Sequence, residues 1–129
     1  MPAMHRSRLY GVFVDSPHAE ADKAVAFWSA ALGAAAEPVD DDYTMLPGAA
    51  GHELAFEVQA VDDAPRYHLD IETDDVAAEV ARLTALGATE EARHYGWTVL
   101  RAPGGHLLCV VPVQSDQPFF DRHARRFGA

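Results

Sequence analysis

The sequence predicts an α+β fold: two tandem βαβββ modules whose curved mixed sheets surround a concave pocket, with the helices outside. Three observations carry that expectation. Leu32-Gly33-Ala34 and Leu86-Gly87-Ala88 recur at the same point of each half. Each half reads as one strand, one helix and three short strands. Finally, RYHLDIETDD (66–75) splits by parity, with Tyr67, Leu69 and Ile71 on one side and Arg66, His68, Asp70 and Glu72 on the other. Strand side chains alternate across a sheet. One face is thus built for a helix-covered core, and the other carries ionisable groups suited to a pocket. Two copies are too few for a solenoid.

The elements follow in order. LYGVFV (9–14) reads as a first strand. Ser16-Pro17 marks a helix start, with Ser as N-cap and Pro at the first helical position. Over 19–32, Ala21, Val25, Trp28 and Leu32 recur at helical spacing, and Gly33 closes the helix. Short strands are expected around 36–39 and 42–46, then a PGAAG turn (47–51), a strand over HELAFEVQ (52–59) and a polar linker over 60–65. The pattern restarts with strand 66–72 and Asp74 as N-cap. The second helix places Val76, Val80, Leu83 and Leu86 on one face and stops at Gly87. Strands follow around 88–93, 96–101 and 106–112, the last two joined at Gly104-Gly105. QPFFDRHARRFGA (117–129) predicts a short amphipathic helix. It could dock on the surface, the expected placement, or fold Phe119, Phe120 and Phe127 over the pocket mouth.

Composition sets bounds. A chain of 129 residues, nearly half apolar, suits one compact domain. A net charge of −10 repels a phosphate backbone and an anionic membrane surface. Nucleic acid and membrane are therefore not expected partners. Cys109 is the only cysteine, so an intrachain disulfide is excluded and a reducing compartment fits. MPAMHRSRLYG has no hydrophobic signal core, and AVAFWSAALGAAA (24–36) is too short to span a bilayer. The expected location is the cytoplasm.

VFVDSP with FWSAALG in the first half, and HLDIETDDVAAEVARLTALGA with WTVLRAPGGHLLCVV in the second, resemble the vicinal oxygen chelate superfamily. That superfamily includes the glyoxalase, bleomycin-resistance and ring-cleaving dioxygenase proteins, and the resemblance is nearest to a glyoxalase-like branch. It implies a single domain: module one over about 8–60, module two over about 66–113, and a helical tail over 117–129. It implies a metal site built from one residue on each of four strands. Those positions fall on Gly11, Glu57, His68 and Cys109. Gly11 has no donor, Glu57 and His68 are usable, and Cys109 stands where a glutamate is usual. Ala102 replaces the aspartate that commonly precedes the hairpin proline. The resemblance also implies a homodimer.

His68 and Glu57 are the candidate catalytic pair. Zinc, nickel, iron or manganese accept such a set, but protein sites commonly supply three or more ligands. The expectation is therefore no bound cofactor, and a hydrogen-bonded His–Glu or His–Asp pair able to serve as general acid or base. A divalent metal on His68, Glu57 and Cys109 is the alternative. Arg66 could pair a substrate carboxylate, with a salt bridge to a neighbouring acid as the plainer role. Asp70 should lie beside His68. Trp97 could stack on a planar ligand. Cys109 reads as a small buried hydrophobe near the ligand, not a nucleophile. Among the other histidines, His18, His52, His94 and His106 read as surface or turn residues. Two functions follow. One is a glyoxalase-like lyase, isomerase or dioxygenase acting on a small oxygenated metabolite. The other is a non-catalytic small-molecule binding protein of the antibiotic-resistance type.

Overall fold

The structure, a computed structural model, describes residues 4–128. Residues 1–3 and Ala129, the ends of the expected domain and tail, lie outside the described residues. The elements are β1 (His5–Pro17), a 3-10 turn (His18–Glu20), α1 (Ala21–Leu32), β2 (Glu37–Pro38), β3 (Tyr43–Met45) and β4 (Ala55–Val61). Then come β5 (Arg66–Thr73), α2 (Val76–Ala85), β6 (Thr89–Arg93), β7 (Thr98–Arg101), β8 (Leu107–Pro112), α3 (Gln117–His123) and β9 (Arg125–Phe127). The order βαβββ occurs twice, and the fold is α+β. The chain forms two compact units, residues 11–68 and residues 4–10 with 69–128. β1 and β5 each contribute residues to both.

In the unit of residues 11–68 the strand order is β2-β3-β4-β1. β4 runs parallel to β1, with Gly11 opposite Ala55 and Phe13 opposite Glu57. Val14, Leu46 and Val58 form the core, and Val25, Trp28 and Phe56 pack against it. Gly33 closes α1 in the left-handed region, at φ 65°. The helix start differs from the Ser-Pro expectation. β1 continues through Pro17, which sits at ψ 144°, and the N-cap position is Glu20, without a side-chain cap. Proline fixes φ near a value that suits both a first helical turn and extended chain, so Ser16-Pro17 did not decide between them.

In the other unit the order is β1-β5-β8-β7-β6, and β5 runs parallel to β8. Ala88, Leu100 and Val110 form the core under Val76, Val80 and Leu83 of α2. Asp75, not Asp74, caps α2, accepting from the Ala78 N–H at 3.0 Å. Asp74 instead accepts from the backbone and side chain of Arg6. The tail docks as a helix and then does something the sequence did not announce: β9 pairs antiparallel with β1, His5 opposite Phe127. Phe120 is fully buried. Arg6, Arg8 and Arg82 lie over the rings of Phe120, Phe119 and Phe127.

The parity of β5 holds, but its apolar side is less covered than expected. Leu69 and Ile71 stand opposite Leu108 and Val110, the α2 side of that unit. Even so, Leu69 is 41 % and Tyr67 63 % exposed. The polar side is the buried one: His68 is 6 % exposed and Glu72 0 %.

Burying Glu72 and Glu79 requires donors, since an unpaired buried charge is costly. Glu72 accepts from the Gln114 and Ser115 amides at 2.7 and 2.9 Å, from the Ser115 hydroxyl and from Arg8. Glu79 accepts from His5 Nε2 at 2.7 Å and from two nitrogens of Arg82. Burial alone would raise both carboxyls. The Ser115, Gln114 and Arg8 bonds outweigh it at Glu72, and the Arg82 and His5 bonds at Glu79, holding both below the usual carboxylate value.

A carboxyl depressed in the folded state stabilises above its unfolded pKa, about 4.3 for Glu, and that stabilisation is lost as pH falls through the folded value. Thermal melts should therefore show a falling Tm as pH drops below about 4.3. Glu72→Gln takes the carboxylate from Arg8 and should cost about 3–5 kcal/mol at pH 7. The variant should also lose less stability on acidification than the parent.

Candidate functional site

The residues of interest in the 11–68 unit follow from alternation. Val14, Phe56 and Val58 pack under α1. Phe13, Asp15 and Glu57 therefore leave β1 and β4 on the other side. His68, at the β5 end of this unit, donates from Nδ1 to Asp15 Oδ2 at 2.9 Å. Its ring stacks on Phe13, centroids 4.7 Å apart and planes 12° from parallel. Arg66 Nε donates to the same Asp15 oxygen at 2.9 Å, and its Nη1 to Asp63 at 2.8 Å. The Asp15 bond, followed by the Asp15 and Asp63 charges, raises the Arg66 pKa against the cost of its partial burial. Asp15, His68 and Glu57 are all buried.

A carboxylate oxygen only accepts, so the Nδ1–Asp15 bond requires the proton on Nδ1. The result is an oriented imidazole. Sequence reasoning set His68 between Glu57 and Asp70 and missed Asp15 and Phe13. The signal was present in YGVFVD, where Phe13 and Asp15 share the parity of Gly11 and oppose Val14. Arg66 takes the plainer of its two expected roles, a salt bridge.

In the other unit Asp70 stands opposite Cys109 across the β5–β8 ladder. Both leave the side turned from α2, because their neighbours Leu108 and Val110 pack under that helix. Cys109 is half-buried. Trp97 lies elsewhere. It stacks on His94 in the β6–β7 turn, centroids 4.5 Å apart, and lines a groove along α2 with Val76, Val80, Arg93 and Thr98.

His68, Asp15 and Glu57 in one unit, and Asp70 and Cys109 in the other, are donor types that divalent metals accept. The four-strand ligand set implied by the resemblance does not fit at β1. A Cβ on Gly11 would sit 2.7 Å from the Ala55 carbonyl oxygen and 2.9 Å from the Ala55 Cβ. Residue 11 is not in the left-handed region. What excludes a side chain there is the close approach of β4, so the absence of a ligand is imposed by the backbone.

The family described as "Glyoxalase-like domain" matches residues 11–111. No curated protein matches the sequence. Among solved structures, an NAD-dependent benzaldehyde dehydrogenase from Legionella pneumophila is similar at 12 % identity and TM-score 0.57, over 80 % of this chain and 99 % of that one. A xylose isomerase-like TIM barrel/4-hydroxyphenylpyruvate dioxygenase fusion protein is similar at 18 % identity and TM-score 0.53. That match covers 98 % of this chain and 23 % of the fusion protein. A bleomycin resistance determinant encoded on the transposon Tn5 aligns over 80 % of this chain and 97 % of its own, at 18 % identity and TM-score 0.30. The first two likenesses are likenesses of fold.

Gly11→Ala should destabilise the protein by about 1–3 kcal/mol, the usual cost of overpacking, read as a lower midpoint in urea with unchanged slope. A variant as stable as the parent would show that β4 yields and that residue 11 tolerates a ligand.

Proposed function

The chain belongs to the glyoxalase-like domain family, and we propose that it binds and transforms a small oxygenated metabolite at the side of residues 11–68 that carries Phe13, Asp15, Glu57 and His68. The observation that carries this reading is the buried His68 imidazole, bonded through Nδ1 to Asp15 and stacked on Phe13. A ring held in one orientation suits proton transfer. His68 is the general acid or base and Glu57 the second proton-carrying group. Lyase, isomerase and dioxygenase chemistry all belong to the reading, and no step is routed through a metal. Asp70 and Cys109 are proposed as ligand contacts of the other unit. Arg66 holds Asp15, and Trp97 belongs to the α2 groove.

The second reading is non-catalytic binding of the antibiotic-resistance type. The Gly11 contact favours it, because an incomplete ligand set removes the metal that many such enzymes would use.

A thermal-shift screen against hydroxy and oxo acids tests both. A ligand should raise the Tm of the parent, and His68→Ala should abolish that rise. The variant should itself be less stable by about 1–3 kcal/mol, since it deprives a buried carboxylate of a partner. Turnover of the same ligand separates the enzyme from the binder. Elemental analysis of protein purified without chelator should find no stoichiometric zinc, nickel, iron or manganese. Such a metal, lost in His68→Ala, would overturn the metal-free chemistry.

We further propose a cytoplasmic homodimer. No described helix is long and apolar enough to cross a membrane, and Phe27, Tyr67 and Leu86 are exposed apolar side chains available to a partner. Closed two-fold dimers are the commonest oligomer. Sedimentation should give twice the chain mass at micromolar protein, and a monomer there would reject the proposal.

A further inference from the structure

We propose that the groove along α2 is a second binding site, one that takes a planar aromatic anion. It lies within the unit of residues 4–10 and 69–128, and it is independent of any role for His68.

The groove follows from what α2 and the β6–β7 hairpin present to each other. Val76, Val80 and Leu83 turn the apolar side of α2 onto Ala88, Leu100 and Val110. Ala77, Ala81 and Thr84 recur at spacings of four and three, so they share the neighbouring stripe of the helix. Their side chains are short and leave a space of about 670 Å3 beside the hairpin. Small-molecule sites commonly occupy about 300–1,000 Å3. The hairpin contributes Trp97, which is 41 % exposed. His94 stacks on its indole with the two planes 12° from parallel. The His94 N–H also donates to the Trp97 carbonyl at 2.9 Å. Backbone and ring contacts thus hold the indole as a fixed plate at the groove. A flat ring system gains most from such a surface, through both area and stacking.

Charge selects the other end of the ligand. The chain carries 20 acidic residues against 10 lysines and arginines, yet no carboxylate is among the described residues that line the groove. The cation there is Arg93. Its Nε donates to Glu90 Oε1 at 2.9 Å, and its Nη2 lies 2.7 Å from the same oxygen. A guanidinium has five N–H donors, so one carboxylate oxygen leaves the Nη1 edge to a second anion. Both side chains are exposed, and an exposed pair of this kind is weak enough for a ligand to share or displace. A negative group beside Trp97 therefore meets a cation on a protein whose net charge of −10 repels it elsewhere.

Two probes with one ring system test the site. 8-Anilinonaphthalene-1-sulfonate carries the anion, and N-phenyl-1-naphthylamine is the same skeleton without it. Fluorescence titration of the folded parent should give one saturable sulfonate site. Arg93→Gln should weaken that binding about twofold to fivefold and leave the neutral amine unaffected. Glu90→Gln releases Arg93 from its partner and should tighten the sulfonate by a similar factor, again without moving the amine. Trp97→Ala should weaken both probes about tenfold. All three residues are exposed, so each variant should melt cooperatively, as the parent does. His68→Ala should leave both titrations unchanged.

A parent without saturable sulfonate binding would overturn the proposal, as would binding indifferent to Arg93 and Trp97. Sulfonate and amine responding alike to Arg93→Gln and Glu90→Gln would show an apolar surface without charge selection and overturn the anion assignment. Sulfonate binding lost in His68→Ala and kept in the groove variants would put the probe at the His68 side and reject the groove alone.

Discussion

A carboxylate taken out of water must be met by donors, and much of this structure is arranged around three that are. Asp15, Glu72 and Glu79 are each almost wholly buried. Each receives an arginine together with further donors: Arg66 and His68 at Asp15, Arg8 with the Ser115 and Gln114 groups at Glu72, Arg82 and His5 at Glu79. The Coulombic gain of such pairs only offsets desolvation when the remaining lone pairs are also filled. That condition explains why backbone amides and a serine hydroxyl join the arginine at Glu72. In a chain of net charge −10, these pairings account for three of its arginines.

The same solution has different consequences in the two units. At Glu72 and Glu79 the carboxylates serve as anchors. They tie β5 and α2 to the first residues of β1 and to the turn before α3, and so fix the tail whose β9 lies along β1. Arg8, His5, Gln114 and Ser115 reach these carboxylates from other segments, and Arg82 from within α2. At Asp15 one of the two donors is an imidazole, which has a second nitrogen. The bond that gives Oδ2 of this carboxylate a donor therefore also orients the imidazole.

Gly11 shows the converse, a functional possibility removed by packing. Parallel strands β1 and β4 approach until the Ala55 carbonyl occupies the place of a side chain. The site is left to groups that can be oriented without a ligand at that position. This is why the His68–Asp15 pair, and not a four-strand metal set, organises the functional reading.

How much of this was legible beforehand can be stated residue by residue. Periodicity and alternation are local properties, and they determined the repeated βαβββ order, the helix cores around Trp28 and Leu83, the Leu-Gly-Ala helix ends and the side of β5 on which His68 and Asp70 lie. Three things were decided only in three dimensions. Asp15 is 53 positions from His68, and no local pattern links them; the β-sheet brings them together. Strand β9 forms because β1 offers it an edge, whereas RRF by itself is too short to declare a strand. The exclusion of a side chain at Gly11 depends on how close β4 comes, a distance that alternation does not encode. Sequence alone determined which side chains share a face, because that follows from the geometry of one strand or helix. Tertiary structure decided which of them meet, because hydrogen bonds and close contacts depend on chain segments distant in sequence.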